Sequence, residues 1–441
     1  MRQFLANPDF RKYFANTSWL LGERVLRMVV SLFVGIYVAR YLGPERYGLL
    51  TYSNSFVGLF VALATLGLDS VVIRELVKTP ELRAELLGTS FFLKIIGTFL
   101  MWLCILATVP FTDNDTDTNI LIAIIAFGVI FQSIYVIDFH FQAVVKVKHV
   151  VHVQLIQLAI STISKLVLIY NESSLGWFAA IYSLDALALA IGLTYKYLHN
   201  NGNISWRWNN SVAKTLLTDS WPLMLAYMSY LVYSRIDRIM IKEMLDEYNV
   251  GIYSAAYAIY EAPLFISLMV AKSIYPKLVD YYQNNKDKLF KYYLVLSSYM
   301  TLLSYIIVLF IYIFHDNLIL LAYGASFSES SRILMLLSLG LIPMYNAFLR
   351  SSYITISGNQ KILLYIQLFS SIMNVILNVI LIKLYAVKGA VIATILTQIV
   401  SLSILNVMFN ETRYLFYIQI KSLLLLGIWG KHRQTALFNH N

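Results

Sequence analysis

Apolar stretches of roughly twenty residues follow one another along almost the whole of this 441-residue chain, and no other feature limits its fold as much. That length matches the rise an α-helix needs to cross bilayer hydrocarbon. Inside hydrocarbon each backbone N–H and C=O must be satisfied within the protein, so only helices or a closed barrel can span. Barrel strands would be about ten residues long and would alternate apolar with polar, which these runs do not. Composition agrees. Hydrophobic residues make up 59% of the chain and charged residues 13%, against about 25% charged in soluble domains. A water-soluble chain this apolar would lack the residues to cover its surface. The expected fold class is an all-α membrane protein, multi-pass and surrounded by lipid.

About twelve transmembrane helices are expected, at residues 17–40, 47–72, 83–109, 119–144, 149–170, 175–198, 222–245, 251–275, 289–314, 331–354, 362–384 and 388–410. Local punctuation supports several limits. Gly43-Pro44 breaks the chain after the first span. Thr79-Pro80-Glu81 reads as an N-cap, a proline at the first helical position and a first-turn acid. Ser220 and Pro222 read the same way before the seventh span. Lysine and arginine gather in alternate loops: Arg2, Arg11 and Lys12; Arg74, Lys78 and Arg83; Lys146 and Lys148; Lys196, Arg207 and Lys214; Lys277 to Lys291; Lys361; and Arg413 to Arg433. The intervening segments 112–119 and 171–174 carry neither. The positive-inside rule then places both termini in the cytoplasm. The apolar stretch 414–429 is short for a span and is interrupted by Gln419 and Lys421, so an interfacial or cytoplasmic helix is expected there.

The two halves carry a weak internal repeat. Leu42 and Gly48 after the first span match Leu245 and Gly251 after the seventh, each 203 residues on, and Arg74 meets Lys277 at the same offset. Lys148 and Gln154 match Lys361 and Gln367 at an offset of 213. The unit is then about six helices in a parallel repeat, an arrangement that transporters use to place a cavity between two rocking lobes. The expected organisation is a cytoplasmic segment 1–16, a six-helix lobe 17–198, a cytoplasmic linker 199–221, a second six-helix lobe 222–410 and a cytoplasmic or interfacial tail 411–441. Composition alone leaves a bland alternative, since apolar helices resemble one another.

Several chemistries find no support. The single cysteine, Cys104, excludes an intrachain disulfide and a cysteine metal site. Asp113-Asn-Asp-Thr-Asp117 mimics the start of a calcium loop but lacks its glycine and terminal glutamate, so no metal site is expected. There is no phosphate-cradling lysine loop, no His-Glu-x-x-His and no nucleophile elbow, so no enzymatic activity and no cofactor is expected. The net charge of +10 belongs to the membrane-flanking loops rather than to a nucleic-acid surface. The first apolar run is too long for a cleavable signal peptide.

Charges within spans cost roughly 2.5–3.5 kcal/mol each on insertion scales and therefore point to function. The first span holds Glu23, Arg24 and Arg27, with Arg27 about 15 Å deep. Glu23 and Arg27 stand four apart, as a pair on one helical face does. In the seventh span Tyr227, Tyr230, Ser234 and Asp237 line one face, flanked by Arg235 and Arg238. Lys94, Lys165, Asp185, Glu261 and Lys272 lie in the third, fifth, sixth and eighth spans. Each has a bland reading beside it: Arg24 as a residue snorkelling to the interface, Glu23–Arg27 as a structural pair, Arg235 and Arg238 as anchors of a helix end, Asp138 and His140 as interfacial groups.

Arg40-Tyr-Leu-Gly-Pro-Glu-Arg-Tyr-Gly48-Leu resembles the signature of polysaccharide transporters, the lipid-linked oligosaccharide flippases of O-antigen and capsule assembly. These belong to the multidrug/oligosaccharidyl-lipid/polysaccharide exporter superfamily. Phe141-Gln-Ala-Val-Val-Lys-Val-Lys148, Trp221-Pro-Leu-Met-Leu, Asp237-Arg-Ile-Met-Ile and Val250-Gly-Ile-Tyr253 resemble it too, in the family's order over residues 10–410. The resemblance implies two six-helix lobes in the cytoplasmic membrane. It also implies movement of an undecaprenyl-diphosphate-linked oligosaccharide between leaflets, beside a polymerase and glycosyltransferases. Arg24, Arg27, Lys94, Lys165, Arg235, Arg238 and Lys272 are then candidates to hold the anionic diphosphate, since cations in a wet cavity replace its hydration. Glu23, Asp185, Asp237 and Glu261 are candidates to carry a coupling H+ or Na+. Two alternatives stay open: a cation-coupled multidrug exporter of the same fold, and a membrane glycan polymerase or acyltransferase.

Overall fold

The computed structural model of the protein describes residues 8–201 and 203–429. Arg2, Lys431, Arg433 and the ends of the expected segments 1–16 and 411–441 lie outside the described residues. Every regular element among those described is helical. In chain order they are α1 Pro8–Thr65, α2 Asp69–Lys78, α3 Arg83–Thr108, α4 Thr116–Gly128, α5 Val136–Ala143, α6 Lys148–Tyr170, α7 Leu175–Asn201 and α8 Asn210–Met244. There follow α9 Glu247–Glu261, α10 Leu264–Asn284, α11 Lys286–Tyr323, α12 Ser330–Ser338, α13 Leu341–Met344, α14 Ala347–Ile356, α15 Gln360–Tyr385, α16 Val387–Leu402, α17 Arg413–Leu423 and α18 Leu426–Trp429.

Among the described residues nine helical stretches are long and apolar enough to cross a membrane, or ten if the bent pair 330–356 is one span. Twelve were expected. The stretch Gly22–Lys78 contains the first two expected spans in one piece. They are divided at Gly43, whose φ of 73° and ψ of 173° break the helix in a conformation that suits glycine. Helix α8 covers the expected seventh span but is rich in tyrosine, serine and charge, and it is not among the nine.

Other boundaries moved for local reasons. Helix α8 starts at Asn210, not at Pro222, because the Asn209 side chain accepts from the backbone N–H of Ser211 at 2.8 Å and of Val212 at 3.3 Å. Pro222 lies inside the helix. Thr79 closes the preceding helix instead of capping the next, since its hydroxyl donates to the Glu75 carbonyl at 3.0 Å. Asp115, within the calcium-like run, caps α4 by accepting from Thr118 N–H at 2.9 Å. The expected fourth span is α4 and α5 joined by a seven-residue 3₁₀ segment, Val129–Tyr135. The tenth is bent by 47° where Gly340 and Pro343 interrupt α12 to α14.

The chain divides into two compact units, Met1–Ile239 and Met240–Asn441. In the first, the pairs Trp19–Lys148, Asp69–Lys94, His140–Tyr197 and Arg207–Ala84 gather at one end. The Tyr41 hydroxyl reaches the Ser173 carbonyl at the other. The first half of α1 and α6 therefore run side by side in one direction, and α7 returns. The apolar core fills the first of these ends, with Leu68, Val72, Leu87, Val136, Ile137 and Leu216 from α2, α3, α5 and α8 and the turn before α2.

In the second unit the usual polarity of a soluble protein is inverted. Along α15, Ser370, Asn374 and Asn378 point inward, while Phe369, Ile372, Ile376 and Ile380 are exposed. Helix α11 likewise exposes Ile306, Leu309, Phe310 and Ile313. Lipid is the solvent that such a surface fits. The interior is a hydrogen-bonded network: Ser297 donates to Asn346, whose amide donates to Thr301, and Thr301 pairs with Ser422. Buried Arg350 donates to the Ser401 carbonyl at 3.0 Å and to the Asn406 amide oxygen at 3.3 Å. Its charge thereby sits at the carbonyl end of α16, where the helix dipole favours a cation. The segment 414–429, expected as an interfacial or cytoplasmic helix, is helical and takes part in this network. Leu415, Ile418 and Ser422 of α17 are buried, Tyr305 donates to the Leu423 carbonyl at 2.9 Å, and Gly427 N–H donates to Ser298 at 3.1 Å. Those partners lie along the middle of α11.

Replacing Arg350 with alanine strips Ser401 and Asn406 of a charged donor while both stay buried. The expected cost is about 2 kcal/mol, read as a lower thermal midpoint of the detergent-purified protein. An unchanged midpoint would show that the end of α16 needs no donor there.

Candidate functional site

The first unit holds a half-open cavity of about 180 Å³, room for about six water molecules. It is built where five elements approach closely. Asn54, Val57, Gly58 and Val61 come from the second half of α1, Ile125 and Gly128 from α4, Val129 and Gln132 from the 3₁₀ segment, Tyr182 from α7, and Tyr227, Leu231 and Arg235 from α8. Glycine makes the approach possible at two points. A Cβ on Gly58 would meet the Arg235 guanidinium, and one on Gly128 would meet Ser183. The Arg235 side chain thus lies flat against the α1 backbone and donates to the Asn54 carbonyl at 3.1 Å. The lining contains one guanidinium, two phenols and two amides, and no carboxylate. Such a wall accepts anions and hydroxyl-bearing rings.

A second polar group lies within electrostatic reach. Arg27 pairs with Glu23 at 2.5 Å and donates to the Gln157 amide oxygen at 3.1 Å and to the Gln154 carbonyl at 3.2 Å. Asp185 accepts from Ser161 at 2.9 Å and faces Lys165. Tyr135 feels the charges of both Arg27 and Asp185, and Tyr182 those of Asp185, Arg235 and Arg238. Gln154, Gln157, Ser161 and Lys165 fall at steps of three, four and four and form one polar face of α6. The structure therefore brings Glu23, Arg27, Lys165, Asp185, Arg235 and Arg238 into one connected polar interior. Tyr227 and Tyr230 stack with ring centroids 6.4 Å apart beside it.

The remaining sequence candidates lie elsewhere. Lys94 is 3% exposed and sits in the packed end of the unit, 3.6 Å from Asp69 and 4.8 Å from the Phe139 ring centre. Arg24 is exposed and makes no ion pair among the described residues. Asp237 is buried on α8. Glu261 and Lys272 are exposed on the second unit. Asp138, expected at the interface, is half-buried and accepts from Gln142 at 3.0 Å.

Sequence reasoning missed Asn54, Gly58, Gln132 and Tyr182 in the cavity wall and Arg350 in the second unit. Arg350 carried a signal that could have found it, a charge within an expected span. The others are ordinary residues in apolar runs, and only the helix crossings select them.

Gly58→Ala is expected to push the guanidinium off α1 and break its bond to Asn54. Binding of inorganic pyrophosphate, read as thermal stabilisation, should weaken roughly tenfold, the worth of one charge-assisted hydrogen bond. The loss should not add to that of Arg235→Ala, since both act through one side chain. Additive losses would mean that Gly58 acts on something else.

Comparison with known proteins places this geometry. Residues 13–282 match a family described as polysaccharide biosynthesis protein, and residues 222–380 match one described as MatE. The capsular polysaccharide biosynthesis protein CapF of Staphylococcus aureus is 23% identical over 401 residues, 88% of this chain and 96% of that protein. The probable low-salt glycan biosynthesis flippase Agl15 of Haloferax volcanii is 24% identical over 380 residues, 83% of this chain and 77% of that one. Among solved structures, the inward-facing conformation of a multidrug resistance MATE family transporter of the MOP superfamily superposes with a TM-score of 0.73 at 15% identity, covering 90% of this chain and 95% of its own. A MATE in complex with MaL6 gives 0.58 at 16% identity, covering 94% and 96%. The helices thus have the fold of that transporter superfamily.

Proposed function

The chain belongs to the polysaccharide biosynthesis protein family, and from that premise we propose that it is a flippase for lipid-linked oligosaccharides. It carries an undecaprenyl-diphosphate-linked repeat unit across the cytoplasmic membrane for the assembly of a surface polysaccharide. Twelve transmembrane helices in two six-helix lobes, with both termini in the cytoplasm and 199–221 as the link, give alternating access. The observation that carries the reading is the cavity wall of the first unit, which sets the Arg235 guanidinium among phenols and amides with no carboxylate. A diphosphate needs that cation to replace its hydration, and sugars suit phenol rings with polar tips. The polyprenyl chain stays in lipid throughout.

The chain acts as a transporter and not as an enzyme. A coupling H+ or Na+ is carried by the acids of the interior, of which Asp185 is the best placed, since it faces both Lys165 and the tyrosines that lead to Arg235. Glycosyltransferases would stand upstream of it and a polymerase downstream.

The MatE match over residues 222–380 favours a second reading, a multidrug exporter of the same fold. Organic cations call for carboxylates in the wall, and the acids near the cavity are held by Arg27, Ser161 and Lys165.

Deletion of the gene in its host tests the two readings. The flippase predicts loss of surface polymer with the lipid-linked oligosaccharide retained on the cytoplasmic side. Intact polymer with new sensitivity to cationic dyes would replace it with the exporter. In the complemented strain, Arg27→Ala and Arg235→Ala are each expected to abolish the polymer at normal protein abundance. Normal polymer from both would remove these residues from the site.

A further inference from the structure

We propose that the end of the first unit formed by Trp19, Lys146, Lys148, His149, His152 and Lys196 is a binding site for the headgroup of an anionic phospholipid. The residues come from three separate places in the chain and converge. Lys148 Nζ lies 5.4 Å from the centre of the Trp19 ring, and His152 meets the same ring edge-on with centroids 5.6 Å apart. His149 packs on Phe141 at 5.5 Å. Lys196, Lys146, His152 and Lys148 lie within electrostatic reach of His149. Glu23, one turn along α1 from Trp19, is already paired with Arg27. Asp138 on α5 accepts from Gln142. The patch therefore holds three ammonium groups beside two imidazoles, and the like charges of the lysines repel one another, a state that an anion relieves.

Height along the helices identifies the anion's source. The exposed apolar face of α6 begins at Ile156 and continues through Ile160 and Ile163. Lys148 precedes it by eight residues, about 12 Å of helix. The cations thus stand just outside the band that hydrocarbon covers, at the level of phosphodiester groups. Trp19 is 41% exposed there, and tryptophan favours that level because its ring is apolar with one polar edge. Scattered basic loops alone would not set a lysine and a histidine of α6 on one indole of α1. The site is apart from the cavity of Arg235 and does not depend on the transport reading.

The test uses the full chain in neutral detergent, with retained lipid counted by native mass spectrometry during titration with phosphatidylglycerol or phosphatidylcholine. The wild type should prefer phosphatidylglycerol. Lys146→Gln/Lys148→Gln/Lys196→Gln should weaken it roughly a hundredfold, at about fivefold per lysine near an anionic surface, with phosphatidylcholine unaffected. The matching triple arginine variant should restore the preference. Lys286→Gln/Lys288→Gln/Lys291→Gln, which removes equal charge from the second unit, should leave it intact. An equal loss from that control would make the attraction diffuse and overturn the site. Displacement of the lipid by millimolar inorganic phosphate would overturn the headgroup assignment, because it would make this a site for the free ion.

Discussion

Bilayer hydrocarbon offers no hydrogen bonds, and the rest of this structure follows from that constraint. A backbone group left open there costs several kcal/mol, so each crossing must be helical. Polar side chains obey the same rule and turn toward one another inside each unit. Along α15 the serine and asparagine stripe faces in while isoleucines face out. The buried network that joins Asn346, Thr301 and Ser422 is the form such satisfaction takes when no water is at hand. Segment 413–429 belongs to the same scheme. Gln419 meets Asn406 at 3.2 Å inside the unit, while Tyr417, Ile420 and Leu424 are turned outward.

Charge is admitted only where geometry compensates it. Arg350 lies against carbonyl and amide oxygens at the end of α16, and Lys94 lies between Asp69 and the face of Phe139. Arg27 is bonded at each of its three nitrogens, by Glu23, the Gln157 amide and the Gln154 carbonyl. Arg235 differs because it opens onto a cavity and holds one backbone carbonyl. A guanidinium carries five donors, so much of its bonding capacity remains for a guest. That contrast separates Arg350 and Lys94, which brace the fold, from Arg235, which can receive a ligand, although all look alike as charges in an apolar run.

The fold class was legible because it depends on run length and composition. So was the family, through the Arg40–Leu49 motif and its companions in order. Six of the eleven candidate charges meet in one polar interior, and their positions were readable as charges within spans. Span details were less legible. Pro222 suggested a helix start that Asn209 supplies twelve residues earlier, since a proline is also tolerated where a neighbouring helix packs on it. The 3₁₀ stretch 129–135 left no mark, because its residues are apolar and tightening depends on what packs alongside. Gly58 and Gly128 were two glycines among nineteen.

The sequence by itself determined that lipid is this protein's solvent, where helices must form and which charges must be accounted for, because these follow from transfer free energy summed along short windows. Only the tertiary structure decided which charges are partnered and which face space. A partner such as Asn54 for Arg235 stands 181 residues away, and a helix periodicity cannot say which of its faces meets which neighbour. Crossing points do so, and they are set by side-chain volume at a few positions where glycine lets one backbone close on another.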